Sequence, residues 1–349
     1  MKLDYKINKT KHSVIFCRSN YIGTISKTIS SMKSDKNILF IYDSKIDKKI
    51  VNEILSELKI SGCNILKIEC VSEKLNKNEK LLFKILDILL LNSFTKKSII
   101  VSFGGGVLGD VSALASSLYL RGLMYVCIPT TMTSIVDSSI GGKTAINYKG
   151  ITNSIGTYYH PNAVLILEKI IKTLPEREFT AGIAEIIKCG IIGDNQILSL
   201  LKKSKKKIIT RDTKILFKLC YLTLKTKIRF FLNDIHENNT RLSLNFGHTF
   251  AHAIEMAIEQ RIKKDFIRHG EAVGIGMLCE VYYEKKRKDK IFQTIENLLK
   301  EYNLPTKILL KNLPFDKNTL QNSIYKNIFL DKKRAGKNPR FISIRELQK

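Results

Sequence analysis

Residues 98–122 read SIIVSFGGGVLGDVSALASSLYLRG, and this stretch decides the fold of the first half of the chain. A β-rich run, a glycine turn and an Ala/Ser/Leu-rich run follow one another, which predicts a strand, a tight turn and a helix. Gly104, Gly106 and Gly109 have the spacing of a dinucleotide-binding fingerprint, in which missing side chains and a helix N-terminus admit a pyrophosphate. A plain tight turn has the same composition, so the fingerprint alone is weak. Asp110 follows where a ribose or nicotinamide contact would fall.

The chain around this stretch alternates between strand and helix patterns. The predicted strands are 37–43, 63–69, 98–103 and 124–129, and the predicted helices are 47–59 and 81–94. Because strands separated by helices form parallel sheets, we expect an α/β nucleotide-binding domain with a parallel sheet over residues 1–174. Asp43 ends the first of these strands and would hold an adenosine ribose, with a helix cap as the alternative role.

From about residue 175 the pattern changes to long runs with apolar residues at three- and four-residue spacing. These runs are LPEREFTAGIAEIIKCGII, TKILFKLCYLTLKTKIRFFL, GHTFAHAIEMAIEQ and HGEAVGIGMLCEVYYEKK. Strand patterns are few here. We therefore expect a mostly α-helical C-terminal domain over residues 175–349.

The composition argues against disorder and against a membrane span. With 349 residues, 44% of them hydrophobic, the chain can bury a large core. No apolar run reaches the ~18 residues that a bilayer requires, and the N-terminal residues lack a signal-peptide pattern, so we expect a cytoplasmic protein. The seven cysteines form no CxxC pair, which favours buried thiols in a reducing compartment.

The formal net charge of +27 suggests nucleic-acid binding as one hypothesis. However, the lysines are spread along the whole chain rather than concentrated in one tail or helix, as a solvated surface would have them. The same positive field would attract an anionic small molecule. Charge alone does not distinguish these alternatives. We expect no specific nucleic-acid partner, and this expectation rests on the residues described next.

Three of the six histidines lie in two of the helical runs. His248 and His252 are four residues apart and share a helix face, and His269 begins the run HGEAVGIGM. A lone histidine is more often structural than a ligand. Together with Glu185, however, two imidazoles and one carboxylate make an open catalytic zinc site. Lys188 follows Glu185 by one helical turn and would point into the same space.

The run before His248 supplies cationic and amide groups at Lys227, Arg241 and Asn245, with a carboxylate at Glu237. Beside a metal, these groups would suit a substrate that carries carboxylate, hydroxyl and phosphate groups. Spacing alone does not show that they converge. A solvated loop of mixed charge is the alternative.

The segment 129–147, PTTMTSIVDSSIGGKTAIN, combines small polar residues with Asp137 and Lys143. Such a composition makes a poor core and a good wall for a polar ligand. The paired Gly141 and Gly142 would allow a backbone conformation that side chains forbid.

In order along the chain, these motifs are GGGVLGD, RG at Arg121, PTT, VDSSIGGKTA, LPEREFTAGIAEIIKCG, RLSLNFGHTFAHAIE, HGEAVGIGM and DKKRAGKNPR. From about Asp43 to Arg340 the chain thereby resembles the 3-dehydroquinate synthases, members of the sugar phosphate cyclases. The resemblance implies an NAD-binding N-terminal domain, a helical C-terminal domain that binds zinc or cobalt, and a homodimer.

The resemblance also implies roles for individual residues. The metal ligands would be Glu185, His248 and His269. The catalytic residues would be Lys143, Lys188, Lys227, Glu237, Arg241, Asn245 and His252. The other substrate contacts would be Arg121, Asp137, Asn153, Lys332 and Lys333, with Arg121 reaching across the dimer to the substrate phosphate. The NAD contacts would be Asp43, Gly105, Gly106, Asp110, Thr130, Thr131, Thr173 and Leu174.

Three departures from the family pattern stand out. Thr152 replaces a lysine at the junction of NAD and substrate, and Lys149 is a candidate to supply the missing charge. Ala113 and Leu114 replace a Gly-Phe pair, which is a packing change. In relatives, a glycine, a glutamate and a lysine contact the adenosine ribose. The corresponding segment here, SEKLNKNEK, does not clearly match that pattern, so we assign no contact there.

The implied reaction converts 3-deoxy-D-arabino-heptulosonate 7-phosphate to 3-dehydroquinate and phosphate in the shikimate pathway. It proceeds by transient oxidation at carbon 5, phosphate elimination, reduction, ring opening and intramolecular aldol closure, with no net redox change. One rival function is another sugar phosphate cyclase, such as a 2-deoxy-scyllo-inosose or valiolone-type synthase. A metal-dependent polyol dehydrogenase and a decayed nucleic-acid-binding relic are the others.

Overall fold

The computed structural model describes residues 1–149, 151–259, 261–262, 266–285, 289–330 and 341–342. The chain divides into two compact units, Met1–Leu174 (unit 1) and Pro175–Lys349 (unit 2). The strands, all in unit 1, are β1 (Lys2–Ile7), β2 (Thr10–Cys17), β3 (Asn37–Asp43), β4 (Asn64–Cys70), β5 (Ile99–Gly104), β6 (Met124–Pro129), β7 (Lys143–Tyr148), β8 (Ile151–Tyr158) and β9 (Ala163–Leu167). The helices of unit 1 are α1 (Tyr21–Ser30), α2 (Lys48–Ile60), α3 (Glu79–Leu91), α4 (Gly106–Leu118) and α5 (Glu168–Thr173). Those of unit 2 are α6 (Glu176–Gly193), α7 (Asn195–Lys203), α8 (Lys205–Ile209), α9 (Thr213–Leu232), α10 (His248–Glu259), α11 (His269–Lys285), α12 (Lys290–Glu301) and α13 (Lys317–Leu330).

Unit 1 contains a seven-stranded sheet in the order β1-β2-β9-β6-β5-β3-β4. Every neighbouring pair is parallel except β1 and β2, which form an antiparallel hairpin. The expected α/β architecture with a parallel sheet is confirmed. Every residue of β5 and β9 is buried, as expected for central parallel strands that are covered by helices on both faces.

The sequence patterns located β3, β4, β5 and β6 to within one residue at each end. They did not identify the two hairpins, β1–β2 and β7–β8. The separate ribbon of β7 and β8 explains one of these omissions, because almost all of β8 is exposed and therefore lacks the apolar alternation of a half-buried strand.

In unit 2 the described residues form helices and no strands. The predicted long helical runs appear as α6, α9, α10 and α11, which confirms the helical C-terminal part. Helix α11 packs against α6 and α10. A glycine makes one of these contacts possible, since a Cβ on Gly270 would lie 1.8 Å from the carbonyl oxygen of Ala181. Among the described residues, no helix has the length and apolarity to cross a membrane.

Candidate active site

Three helices of unit 2 bring Glu185, His248 and His269 together. Glu185 lies in the middle of α6, while His248 and His269 are the first residues of α10 and α11. One nitrogen or oxygen atom from each of the three residues lies within 4.8 Å of the others. The carboxylate is 1% exposed, so the cluster is anchored in the interior of the unit.

The spacing of this cluster fits a divalent metal ion. The Nε2 atoms of His248 and His269 lie 3.7 and 3.5 Å from Glu185 Oε1. Ligand atoms about 2.1 Å from a tetrahedral zinc would lie about 3.4 Å from one another. Among the described residues, Lys188 Nζ lies 2.5 Å from Glu185 Oε2, whereas Oε1 accepts no hydrogen bond. A buried carboxylate oxygen in that state is costly, and a cation at the centre of the cluster would offset the cost.

The opposite ring nitrogens of both histidines have hydrogen-bond partners. His269 Nδ1 lies 3.2 Å from Glu255 Oε2, and His248 Nδ1 lies 3.2 Å from the carbonyl oxygen of Phe246. Because an oxygen acceptor at Nδ1 favours the proton there, it leaves Nε2 as a lone-pair donor directed towards the cluster. A carboxylate or carbonyl oxygen at the second ring nitrogen of a histidine ligand is usual in zinc proteins.

A second set of contacts holds the start of α11 in position. The guanidinium of Arg177 donates to both carboxylate oxygens of Glu271, each at 2.7 Å, and the backbone amide of Arg268 donates to Glu271 Oε2 at 2.9 Å. The hydrogen bonds to Glu271 raise the pKa of Arg177 above its ordinary value. The bidentate pair ties α6 to the helix start that carries His269.

Lys188 and His252 adjoin the same cluster. The Lys188 ammonium lies 2.5 Å from Glu185 Oε2, and both side chains are 1% exposed. Glu185 therefore directs one oxygen towards the lysine and the other towards the imidazoles. The His252 ring lies 5.6 Å from the His248 ring and 6.0 Å from the His269 ring, measured between centroids.

The cationic and amide residues predicted for substrate binding lie on elements that pack against α6. Lys227 is buried on α9, and a 3-10 helix, Thr240–Asn245, contains Arg241 and Asn245. Asn245 Nδ2 donates to Glu237 Oε1 at 2.6 Å, which joins two of the predicted residues directly. The mixed-charge loop is thus largely buried at these positions, not solvated.

Asp234 organises the loop that precedes Arg241. Its carboxylate accepts hydrogen bonds from the backbone amides of Asn238, Asn239 and Arg241, at 2.9, 2.6 and 3.1 Å. Burial raises the pKa of Asp234, but these three hydrogen bonds outweigh burial and hold the pKa below its ordinary value. Arg241 is 2% exposed and also donates from Nη1 to the carbonyl oxygen of Ile235 at 2.7 Å.

A solvent-open cavity in unit 1 lies over the glycine turn between β5 and α4. Its lining includes four of the residues to which the resemblance gives a role in NAD binding or catalysis: Gly105, Gly106, Asp110 and Lys143. The predicted strand, turn and helix are confirmed here. Gly106 has a structural reason to be glycine, because a Cβ there would lie 3.0 Å from Ser138 Oγ.

The segment with Asp137 and Lys143 forms another wall of the cavity. Asp137 lies in a π-helical turn, Ser134–Ser138, and Lys143 is exposed at the start of β7. Gly141 and Gly142 have φ values of +95° and +70°. The prediction that this glycine pair adopts a conformation unfavourable for other residues is confirmed.

The remaining predicted NAD contacts are spread around the same sheet. Asp43 ends β3, and its Oδ1 accepts from the backbone amide of Lys45 at 3.1 Å, while Asp47 caps α2. Thr130 donates its amide to the carbonyl oxygen of Gly104 at 2.9 Å, and the Thr131 methyl faces Gly105.

Thr173 and Leu174 follow β9. The Thr173 hydroxyl donates within α5, to the carbonyl oxygens of Lys169 and Ile170 at 3.1 Å each, and Leu174 is buried. These local contacts do not connect the pair to the cavity lining, so their assignment to NAD stays a prediction.

Arg121 is exposed and has a φ of +61°. Asn153, on β8, is exposed and accepts a hydrogen bond from Lys77. Lys332 and Lys333 lie outside the described residues, as does the whole motif at 331–340.

Sequence reasoning did not identify Glu255, Arg177 and Lys77. Glu255 follows His248 by seven residues, a helical repeat that places both on one face of α10 and was therefore detectable. The partners of Arg177 and Lys77 are distant along the chain, and no local pattern points to them.

The family model described as 3-dehydroquinate synthase N-terminal matches residues 67–181, and the one described as 3-dehydroquinate synthase C-terminal matches residues 182–334. A 3-dehydroquinate synthase of Prochlorococcus marinus is 37% identical over 82% of this chain and 80% of its own length. That of Thermodesulfovibrio yellowstonii is 33% identical over 95% of this chain and 90% of its own.

Solved structures show the same fold. The 2-epi-5-epi-valiolone synthase of Streptomyces hygroscopicus, with NAD+ and Zn2+ bound, has a TM-score of 0.81 at 20% identity and covers 99% of this chain and 96% of its own. A 2-deoxy-scyllo-inosose synthase complexed with carbaglucose-6-phosphate, NAD+ and Co2+ has a TM-score of 0.81 at 22% identity, covering 96% and 88%.

Proposed function

The chain belongs to the 3-dehydroquinate synthase family, and we propose that it converts 3-deoxy-D-arabino-heptulosonate 7-phosphate to 3-dehydroquinate and phosphate. This step belongs to the shikimate pathway. The enzyme is a carbon–oxygen lyase that uses NAD and one divalent metal without net redox change. The observation that carries the proposal for this chain is the cluster of Glu185, His248 and His269, whose ligand atoms have the spacing of a metal site.

Glu185, His248 and His269 would hold zinc or cobalt in unit 2. The ion, when bound, would polarise the oxygen of the hydroxyl that is oxidised. Lys188 would hold Glu185 through Oε2, so that Oε1 remains directed towards the imidazoles. His252 would take up or deliver a proton near the cluster, directly or through a water molecule, because its ring adjoins both ligand rings.

Unit 1 would hold NAD at the glycine turn. The cofactor, when bound, would accept a hydride from the substrate and return it after phosphate has left. The amides at the start of α4 would face the pyrophosphate, and Asp110 and Lys143 would contact the groups that extend along the cavity wall. Asp43, at the carboxyl end of a neighbouring strand, is our proposal for the adenosine ribose.

Lys227, Arg241 and Asn245 would bind the carboxylate and hydroxyl groups of the substrate. Their burial on elements that pack against α6, the helix that carries Glu185, supports this role. Glu237 would orient the Asn245 carboxamide through the hydrogen bond between them. The remaining proposed substrate contacts rest on the resemblance alone. They are Asp137, Asn153, Lys332 and Lys333.

A homodimer would complete the site by bringing Arg121 to the phosphate of the partner's substrate. Exposed apolar side chains on β8 and just before Arg121 support this proposal. Ile151, Ile155 and Tyr158 on β8 are 40–53% exposed, as are Leu118 and Leu120. Exposed large apolar side chains are typical of a protein–protein interface where they gather into a patch. Sedimentation equilibrium would detect the dimer, and Ile155→Arg should shift it to the monomer.

We propose that the enzyme acts in the cytosol. All seven cysteines are present as thiols, six of them buried, which suits a reducing compartment. Its high positive charge would attract the anionic substrate, with no specific nucleic acid as a partner.

The decisive experiment measures phosphate release from the heptulosonate phosphate, with and without NAD and zinc. We expect release that requires both and proceeds through many turnovers without accumulation of NADH. NADH formed in a one-to-one ratio with substrate consumed would instead identify a polyol dehydrogenase.

A parallel assay with glucose 6-phosphate tests the other cyclases. We expect no phosphate release from this hexose, because it has no carboxylate for Arg241 and Asn245 to bind. Faster release from the hexose phosphate than from the heptulosonate phosphate would favour an inosose-type synthase.

A further inference from the structure

The surface formed by helices α7, α8 and α9 carries a concentration of positive charge. Residues 195–232, which contain the three helices, include eleven lysines and arginines and a single acidic residue, Asp212. The three helices pack against one another, so their exposed faces adjoin. The exposed lysines at the end of α7 and in α8 are Lys202, Lys203, Lys206 and Lys207.

Helix α9 extends this charge as a straight stripe. Lys214, Lys218 and Lys225 are exposed and lie within about 40° of one another around the helix axis, at positions i, i+4 and i+11. With a rise of about 1.5 Å per residue, the stripe is about 16 Å long. Lys227, the buried lysine proposed for the substrate, lies on the opposite side of the same helix. The seven exposed lysines of the three helices, called the basic surface below, therefore face away from that residue.

The lysines of the basic surface have no acidic neighbours. Among the described residues, no carboxylate lies within 4.0 Å of any of their ammonium groups. The acidic residues Asp194 and Asp212 cap α7 and α9 through their side chains. Other exposed lysines do have such partners, for example Lys300, whose Nζ lies 3.0 Å from Glu296 Oε2. Uncompensated charges of one sign repel one another, and a bound polyanion would offset that repulsion.

The side chains of this surface discriminate among polyanions. A helix that docks on a membrane places large apolar side chains beside its cations. Across residues 195–232, every one of which the structure describes, Ile209 is the only exposed large apolar side chain. Proteins that hold single strands stack the bases on aromatic rings, and no aromatic side chain in this stretch is exposed. Lysines contact the phosphates of a double helix without either feature.

The hydrogen-bonding capacity of lysine favours DNA over RNA. An ammonium group donates hydrogen bonds and cannot accept them. Duplex RNA is recognised in large part through its 2′-hydroxyls, which both donate and accept. Duplex DNA presents phosphate oxygens, with about one negative charge per 1.7 Å of its axis. A surface composed almost wholly of ammonium donors therefore matches duplex DNA.

We propose that the basic surface binds the phosphate backbone of double-stranded DNA without regard to sequence. This site goes beyond the proposed enzymatic function and does not depend on it. It agrees with the proposal that no specific nucleic acid is a partner, because contacts between lysine and phosphate carry no sequence information.

The test measures the fluorescence anisotropy of a labelled DNA duplex of about 20 base pairs at about 0.15 M salt. The test variant replaces four lysines of the basic surface: Lys206→Gln, Lys207→Gln, Lys214→Gln and Lys218→Gln. The control variant makes the same change in net charge at four exposed lysines that are paired with carboxylates: Lys2→Gln, Lys11→Gln, Lys172→Gln and Lys300→Gln.

We expect the wild type to bind the duplex with a dissociation constant of about 10⁻⁵ M. The constant should rise at least about tenfold in the test variant and stay within about threefold in the control. The logarithmic dependence of affinity on salt should become shallower by about one for each replaced lysine that contacts a phosphate. Both variants should keep the wild-type kcat for phosphate release, and the thermal unfolding midpoint monitors the fold.

The other outcomes overturn the proposal. Equal losses in both variants would mean that the net charge of +27, and not this surface, attracts DNA. A wild type that does not bind at this salt concentration would have a basic surface that is merely solvated. Tighter binding to a duplex RNA of the same length, or to vesicles of phosphatidylcholine and phosphatidylserine, would assign the surface to that polyanion. Failure of the wild type to release phosphate would count against the proposed function and leave the DNA result intact.

Discussion

The two units build their sites from different materials. The cavity of unit 1 is lined by a glycine turn, small residues and the start of a helix, so the backbone provides much of its surface. The cluster in unit 2 consists of side chains from three helices, arranged around the buried Glu185. A site lined by backbone atoms tolerates a substitution where there is space for the new side chain. A site made of convergent side chains depends on each helix keeping its position to within a fraction of an ångström.

The largest effect should come from removing the anionic ligand of the side-chain site. Glu185→Gln deprives the cluster of its only carboxylate among the three ligands, so bound metal and phosphate release should both fall to a small fraction of wild type. Metal content by atomic absorption and the phosphate assay measure this. Glu176→Gln, at the exposed start of the same helix, is the control. Full metal occupancy at an unchanged rate would remove Glu185 from the site.

Next in size is a contrast between two glycines. Gly270→Ala would put a methyl group 1.8 Å from the carbonyl oxygen of Ala181, so α11 must shift away from α6. We expect a loss of about 2 kcal/mol or more in the free energy of unfolding, together with weaker metal binding. Gly109→Ala meets its nearest atom, Tyr125 OH, at 3.8 Å and lies inside a helix, where alanine is favoured. It should leave stability equal or higher. Urea titration compares the two, and equal losses would contradict the distinction between the sites.

A smaller effect is expected from the carboxylate behind His269. Glu255→Gln keeps the shape of the side chain but weakens the bond that orients the imidazole. Metal affinity should fall about tenfold, measured by competition with a chelator, and stability should change little. Glu259→Gln, exposed on the same helix, should bind metal as the wild type does. An unaltered affinity in Glu255→Gln would mean that helix packing alone orients His269.

The smallest effect concerns acid stability. Because the pKa of Asp234 in the folded protein lies below its ordinary value of 3.8, its carboxylate stabilises the fold above that value. The contribution disappears as the pH falls through 3.8 towards the lowered pKa. Asp234→Asn should therefore lower the free energy of unfolding by about 1–2 kcal/mol at neutral pH, and the difference should shrink below about pH 4. A difference that is constant from pH 7 to pH 3 would rule out the charged state as its source.

The sequence alone determined much of the fold because its central elements are regular. β5 and β6 are buried apolar runs, and α9 to α11 have long apolar stripes, so local patterns located them well. The β7–β8 ribbon has no such pattern, and its existence depends on pairing between strands. The residue types and the resemblance also identified Glu185, His248 and His269 as candidates.

Only the tertiary structure decided how these candidates are supported. Glu185 and His269 are far apart in the chain, and a glycine contact between α6 and α11 sets their separation. The same holds for Lys77, whose partners Asp110 and Asn153 are distant from it along the chain. A lysine is long and flexible, so its partner is set by which strands and helices surround it in space. The order of residues along the chain specifies the chemical groups, and the packing of distant segments specifies which groups meet.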